Sequence, residues 1–568
     1  MKKMIVTFAV FACVFLLATC HSMGRRVTDG VFEGASIGFG GELRLSVTIT
    51  NGEIADVVLI SDRESYAVMS RTFPLLRQRI MEARSPVVDS VTGATITSFA
   101  VKAAVADASR QAGIDVGPIT FATRGPAPAQ LARPPVQTGI VVVGGGPAGL
   151  AAAIEARQSG AEDIILIEKL DVLGGSGKHN MNFSEIINSQ AQLANGRSEP
   201  LETFMAHIAG REIVPERIPV WAQGAAEADA WLRGIGVQLN YNWGRFNLKA
   251  EADVYAGDHM MSGMEAELRR LGVDIRTGTK GIDLIMEGGA VTGVVVEDRH
   301  GRYNIMAGAV ILATGGFAAN RELLARHMPG TEALATTNPR HAVGHFIPLF
   351  EEYGFWMERM NGLVMSAPVL SVNRTLTGSI GASPGFIYVN ENGERFVSET
   401  TGGLTLAHRF REQPNGRVFY IYDQNMFDED YAGSRRLVGQ YRAGYHVSAA
   451  TLEELAARLG INGANLAAAV EAFNRAVDGY SSDPFRATAF TRRFGERGPF
   501  YGVQVTSAVH MTRGGVVPDE RARVLMADGS VVRGLFAAGE VTATLGNFSA
   551  AVIFGRVAGR EAAFSIAQ

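Results

Sequence analysis

The first regular pattern in the chain is an alternation. Leu43–Ile49 places an apolar residue at every second position, Asn51-Gly52 follows, and Ile54–Ile60 alternates back. Such a run has one face for a core and one for solvent. Asn-Gly tolerates the positive φ angles of a two-residue hairpin turn, so the pattern predicts two antiparallel strands. Apolar spacing becomes helical around Phe73–Ala83, and a further helix is expected from near Ser98. Residues 27–120 therefore read as a small α+β module.

Residues 121–137 are Pro/Ala-rich without apolar periodicity, the composition of a semi-rigid linker. From Thr138 the pattern changes again. Ile140–Val143 is continuously apolar, Gly144–Gly149 is glycine-rich, Leu150–Gln158 is helical and Ile164–Ile167 is apolar. That order is a βαβ unit with parallel strands. Strand patterns return at Ala309–Ala313 and Gly534–Ala538, so one sheet is expected to be assembled from separated segments. The expected fold class is α/β, with a Rossmann-like domain from residues 138–344 and 486–568. Residues 345–485 would form an inserted α+β cap with amphipathic helices at Leu452–Leu459 and Leu466–Ala476.

Composition narrows the function. In 568 residues, 53 Lys and Arg face 57 Asp and Glu, a net charge of −4 that offers no basic field for nucleic acid. The two cysteines, Cys13 and Cys20, both lie near the start, so the body carries no disulfide framework and no Cys-ligated zinc or iron–sulfur site. No C-x-x-C-H occurs, which leaves out haem modules. Residues 1–20 begin with Lys2 and Lys3 and continue as an apolar stretch to Cys20, a secretory signal pattern. Leu17-Ala18-Thr19-Cys20 resembles a bacterial lipobox, whose Cys becomes the lipidated first residue of the mature chain. An uncleaved anchor helix and simple secretion are the alternatives, and all three place the body outside the cytoplasm.

The glycine turn carries the chemistry. Gly144-x-Gly146-x-Ala148-Gly149 fits the dinucleotide fingerprint: the first glycine permits a tight turn, the second lets a pyrophosphate approach, and the third lets helix and strand pack closely. Glu168 ends the second strand, where a carboxylate accepts from a ribose diol. FAD rather than NAD is expected, because a second phosphate turn follows at Gly174-Gly175-Ser176. Two further strand ends, Thr314-Gly315 and the segment ending at Glu540, add to it. Lys169, Asn547 and Ser549 complete the expected FAD contacts.

With these pieces in order, the chain resembles the soluble fumarate reductase family, flavoproteins that include urocanate reductases and succinate dehydrogenase flavoprotein subunits. The matching segments are VVVGGGPAGLAAAIEA, IEK with LGGSGK, VILATGGFAAN, YVNENGERFVSE, SAVHMTRGG and GLFAAGEVT with IFGRVAG. Asp89-Ser90-Val91-Thr92-Gly93-Ala94-Thr95 resembles the flavinylation motif of FMN-binding domains found beside such reductases. That resemblance implies FMN joined to Thr95 through a phosphoester by a separate flavin transferase, with Asp89, Gly93 and Ala94 shaping the motif. Read from the residues alone, the same stretch is a Ser/Thr-rich turn capping a helix.

The resemblance also implies a substrate-binding His at His510, in His510-x-Thr512-x-Gly514-Gly515. Three departures accompany it. The family's proton-donating Arg falls on Gly403, its H-P-T segment is replaced by apolar residues around Leu363-Val364-Met365, and its C-terminal Arg is missing from Leu545-Gly546-Asn547-Phe548. A dianion would meet a site without its paired charges. Arg513 and Arg409 are the replacement cations considered for catalysis, with His408 and Arg411 beside the latter.

The expected function is an extracytoplasmic two-flavin reductase of an activated carbon–carbon double bond, an enoate or enone rather than fumarate. Electrons would pass from covalent FMN to non-covalent FAD to a small unsaturated substrate, supplied by a membrane or extracytoplasmic donor. The alternatives are a same-fold dehydrogenase of a saturated ketone or acid, and an electron-transfer flavoprotein with a decayed alkene site.

Overall fold

The computed structural model describes residues 27–38, 42–62, 64, 66–119, 133–180, 182–242, 246–250, 255–377, 385–428, 435–442, 444–485 and 492–567. The expected leader with Cys13 and Cys20, and linker residues 121–132, lie outside the described residues. The chain divides into a smaller unit of residues 1–64, 72–90 and 95–123 and a larger one of residues 65–71, 91–94 and 124–568.

The smaller unit follows from the alternation. Glu42–Thr50 pairs antiparallel with both Gly30–Ile37 and Glu53–Ser61. Leu43, Leu45, Val47 and Ile49 are all buried, while Glu42, Arg44 and Thr50 are exposed. The turn has φ of 53° at Asn51 and 76° at Gly52, and both backbone N–H groups donate to the Asp29 carboxylate. One sheet face is covered by the helix Thr95–Gln111, whose Ala100, Val101, Ala104 and Val105 are buried. This helix starts at Thr95, three residues before the expected Ser98. The turn Val91–Ala94, closed by Ala94 N–H donating to the Val91 carbonyl at 3.1 Å, leads directly into it.

In the larger unit, the strand Val136–Val143 begins two residues inside the expected linker. Its neighbours confirm the split sheet: Val142 pairs with Leu166 on one side and Ile311 on the other, and Ile311 pairs with Phe536, all in parallel. Among the described residues eight strands join this sheet, with Asp274–Thr277 at one edge and Lys280–Glu287 at the other. The helix Pro147–Gln158 packs along the helix Phe548–Ile566, which carries the small residues Ala550, Gly555, Ala558 and Gly559 on its buried face.

A second sheet forms the cap, and its limits differ from those expected. Phe500–Thr512, placed by its sequence position in the FAD-binding part, is the strand to which Ala335–Thr336, Leu363–Leu370, Val418–Asp423 and Val447–Ala449 all pair. Conversely, Phe346, Ile347 and Phe350, expected in the cap, are buried in the core of the first sheet. The first shift arises because strand pairing is non-local and a buried strand reads the same whichever sheet takes it. The second arises because Ile347–Glu352 is a short helix whose apolar face packs on the first sheet, a partner its own sequence does not name. The cap core gathers Phe386, Tyr420, Ile421, Leu455 and Phe473, and the helices expected at Leu452–Leu459 and within Gly463–Val477 cover it.

Candidate active site

The fingerprint turn begins where the first parallel strand ends. Gly144 sits at φ 114°, and a Cβ on Gly149 would stand 1.8 Å from the Gly144 carbonyl oxygen, so helix and strand meet there only without a side chain. Gly146 differs: no atom lies within 4 Å of its Cβ position. It is the N-cap of Pro147–Gln158, a helix end whose first N–H groups lack intrahelical partners and carry partial positive charge. Against this opening lies Gly175, with Gly174 N–H donating to the Gly145 carbonyl at 2.7 Å. Two glycine turns thus border one electropositive space, the shape a pyrophosphate fills.

Glu168 is buried behind the turn. Its two oxygens accept one backbone N–H each, from Gly145 and Leu170, both at 2.8 Å. Burial pushes its carboxyl up, opposed by those two hydrogen bonds. Each oxygen keeps a lone pair for a ribose hydroxyl. Lys169 points elsewhere, donating through Nζ to the His341 carbonyl, and burial pushes its amine down.

At the other end, Glu540 Oε1 accepts both the backbone N–H and the hydroxyl of Thr512, at 2.8 and 3.1 Å. Enclosure pushes the Glu540 carboxyl up, against these bonds. Thr512 Oγ1 in turn accepts from the Phe317 N–H at 3.2 Å, tying in the Thr314-Gly315-Gly316 turn. Asn547 and Ser549, expected at the cofactor, start the last helix. Asn547 Oδ1 accepts from the Ser549 N–H at 3.0 Å and the Ser549 hydroxyl at 2.7 Å, an N-cap.

His510 stands two residues before Thr512 on the cap's long strand. Its Nδ1 meets Thr337 Oγ1 at 2.8 Å, and its carbonyl accepts from Asn338 Nδ2 at 2.7 Å. Asn338 Oδ1 accepts from the Ser176 hydroxyl at 3.0 Å, so one chain of bonds runs from the second glycine turn to His510. Burial, with Arg513 nearby, pushes the imidazole down, leaving it neutral at neutral pH. With Nδ1 committed to Thr337, Nε2 is the atom left for a ligand. Arg513 donates from NH1 to the Gly546 carbonyl at 2.6 Å.

Arg409 is not part of this group. It lies on the exposed face of the helix Gly403–Arg411, paired with Glu412 at 3.1 Å and 56% exposed, while Leu406, Ala407 and Phe410 face inward. Thr337 and Asn338 were not singled out by sequence reasoning, and Thr512 entered it only as a member of the His510 motif. The polar cluster Thr336-Thr337-Asn338 was the available signal, but its register against Val509 and His510 is set by sheet pairing.

In the smaller unit, Thr95 is the first residue of its helix, half-buried, following Gly93 at φ 90° and the buried Ala94. The segment before it is held from behind. The buried Lys102 Nζ donates to the Val88 carbonyl at 2.9 Å and the Ser90 hydroxyl at 3.0 Å, and Arg79 donates to the Asp89 carbonyl at 3.1 Å. A phosphate on Thr95 would face the positive end of the helix, so the local chemistry fits an FMN phosphoester.

The two regions match known families. Residues 139–550 match the family described as FAD binding domain, and residues 38–110 match the FMN-binding domain. The NADH:fumarate oxidoreductase of Klebsiella pneumoniae is 29% identical over 97% of this chain, and the chain spans 60% of that protein's length. The urocanate reductase of Eggerthella lenta is 29% identical, with 98% of this chain and 96% of that protein covered. Among solved structures, the open conformation of a flavocytochrome c3 fumarate reductase superposes with a TM-score of 0.69 at 26% identity, covering 76% of this chain and 79% of that one.

Proposed function

The chain belongs to the fumarate and urocanate reductase family of FAD-binding flavoproteins and carries an FMN-binding domain, and from that premise we propose that it reduces an activated carbon–carbon double bond. The reaction adds two electrons and two protons across an alkene conjugated to a carbonyl or carboxylate. When bound, FAD supplies the two electrons at the substrate, and FMN on Thr95 supplies the route by which an external donor refills it.

The protein's own share is placement. Gly146 and Gly175 leave the pyrophosphate space open, Glu168 offers oxygens to the ribose, and Glu540 is fixed by Thr512. The observation that carries the reading is the link between His510 and this cofactor frame, through Thr512 to Glu540 and through Asn338 to Ser176. A neutral His510 held at Nδ1 presents Nε2 to polarise the substrate without adding charge.

The body is further proposed to work outside the cytoplasm, supported by the basic and apolar pattern that ends at Cys20, with a flavin transferase maturing Thr95. Reoxidation of the chemically reduced holoprotein by a panel of enoates and enones tests the activity. Rapid return of the oxidised flavin spectrum with one of them supports the reading, and none doing so contradicts it. Mass spectrometry of mature protein tests Thr95 and Cys20.

A further inference from the structure

Three arginines from distant parts of the chain are laced together beside His510. Arg513 N–H donates to the Gly362 carbonyl, and Gly362 N–H donates to the Arg359 carbonyl, both at 2.9 Å. Arg359 donates from NH1 to the Arg211 carbonyl and from NH2 to that of Gly210, the latter at 3.1 Å. The Arg211 carbonyl also accepts the Leu545 N–H at 2.9 Å, and Gly546 takes the Arg513 guanidinium, which closes the ring.

Charge within this ring is not balanced. Arg211 is paired with Glu185. Arg359 and Arg513 hydrogen-bond only to carbonyl oxygens, and neither has a carboxylate at ion-pair distance among the described residues. Of the carboxylates near Arg513, Glu185 serves Arg211 and Glu540 is held by Thr512. A half-buried guanidinium that gives one N–H to a carbonyl keeps its charge and its remaining donors for an anion. The strand paired beside His510 is apolar at its start, Leu363 pairing with Thr512, Val364 with Met511 and Met365 with Val509, so it brings no second cation there.

We propose that Arg513, backed by Arg359 and Arg211, is the seat for a single substrate carboxylate, and that the substrate is an α,β-unsaturated monocarboxylate with an apolar body lying along Leu363–Met365. The proposal rests on the reductase reading above and adds the substrate class to it. Arg513 lies in the chain directly after Thr512, so an anion on it is held next to the residue that fixes Glu540.

The test uses the flavin-loaded full chain with cinnamate, methyl cinnamate and fumarate as oxidants, and 3-phenylpropanoate as a non-reacting ligand read by flavin absorbance. Cinnamate is expected to reoxidise the protein with a KM far below those of its ester and of fumarate. Arg513→Gln should raise the KM for cinnamate and the Kd for 3-phenylpropanoate about 100-fold, leave the ester unchanged, and be partly rescued by Arg513→Lys. Equal response to acid and ester, a preference for fumarate, or an unchanged Kd in Arg513→Gln would each overturn the seat. Should Arg513→Gln fail to load flavin, Arg359→Gln carries the same comparison with a smaller expected rise. If no alkene reoxidises the protein, the reductase reading fails, while the 3-phenylpropanoate titration still decides whether Arg513 binds a carboxylate.

Discussion

Thr337 Oγ1 lies 2.8 Å from His510 Nδ1, so the residue that directly follows the two-residue strand Ala335–Thr336 sets the orientation of the histidine on the long cap strand. Replacing Thr337 by Val keeps the shape and removes the partner. We expect kcat to fall roughly tenfold, the loss of about one hydrogen bond, with thermal stability nearly unchanged. Steady-state kinetics on Thr337→Val, with Thr337→Ser restoring most of the rate, check this.

Two glycines of one turn should respond in opposite ways. Gly146 has ordinary backbone angles, φ −82° and ψ −173°, and open space at its Cβ position. Gly146→Ala should therefore fold normally and lose FAD. Gly149→Ala drives a methyl into the Gly144 carbonyl and should cost about 3 kcal/mol of stability. Flavin content after purification and thermal denaturation of both variants separate the two outcomes.

At the other flavin, Thr95→Ala should yield a protein lighter by the mass of bound FMN when made together with a flavin transferase. Thr95 is a half-buried first residue of its helix, so circular dichroism should be unchanged. Full flavinylation of Thr95→Ala would contradict attachment there.

Lys178 gives a pH signature. Burial pushes its amine from 10.5 down to about 8 in the folded chain. Between those values the unfolded chain holds a proton that the folded chain has released, so stability rises with pH from about 8 to 10.5, by roughly 3 kcal/mol. Below pH 8 both states are protonated and the full cost of the buried charge is present. Urea denaturation of the FAD-free protein from pH 7.5 to 10.5 should show this rise, and Lys178→Met should flatten it.

Arg409→Ala should keep turnover within about twofold of the parent. An exposed pair such as Arg409–Glu412 contributes little. A large loss would return Arg409 to the site.

Local patterns carried much of this in the sequence. The hairpin at Asn51-Gly52, the fingerprint turn and the two cap helices were legible because periodicity and turn chemistry act over a few residues. Membership of the two cores was not: Phe500–Thr512 entered the cap through strand pairings, one of them to Leu363–Leu370, and Phe346–Phe350 entered the nucleotide core by helix packing, both set by segments distant in sequence. The site divided the same way. Glu168 and Gly146 declare themselves by motif, whereas Arg211 and Arg359 meet Arg513 only through carbonyls of other loops, and a guanidinium in sequence does not show what it bonds to.

The strand Phe500–Thr512 is bound at its start by cap packing and at its end by Glu540. Its two ends therefore answer to different constraints during descent. A lineage could trade one acid for another by rewriting Leu363–Met365 and Arg513, while the strand that carries His510 and every residue that cradles the flavin passed on unaltered.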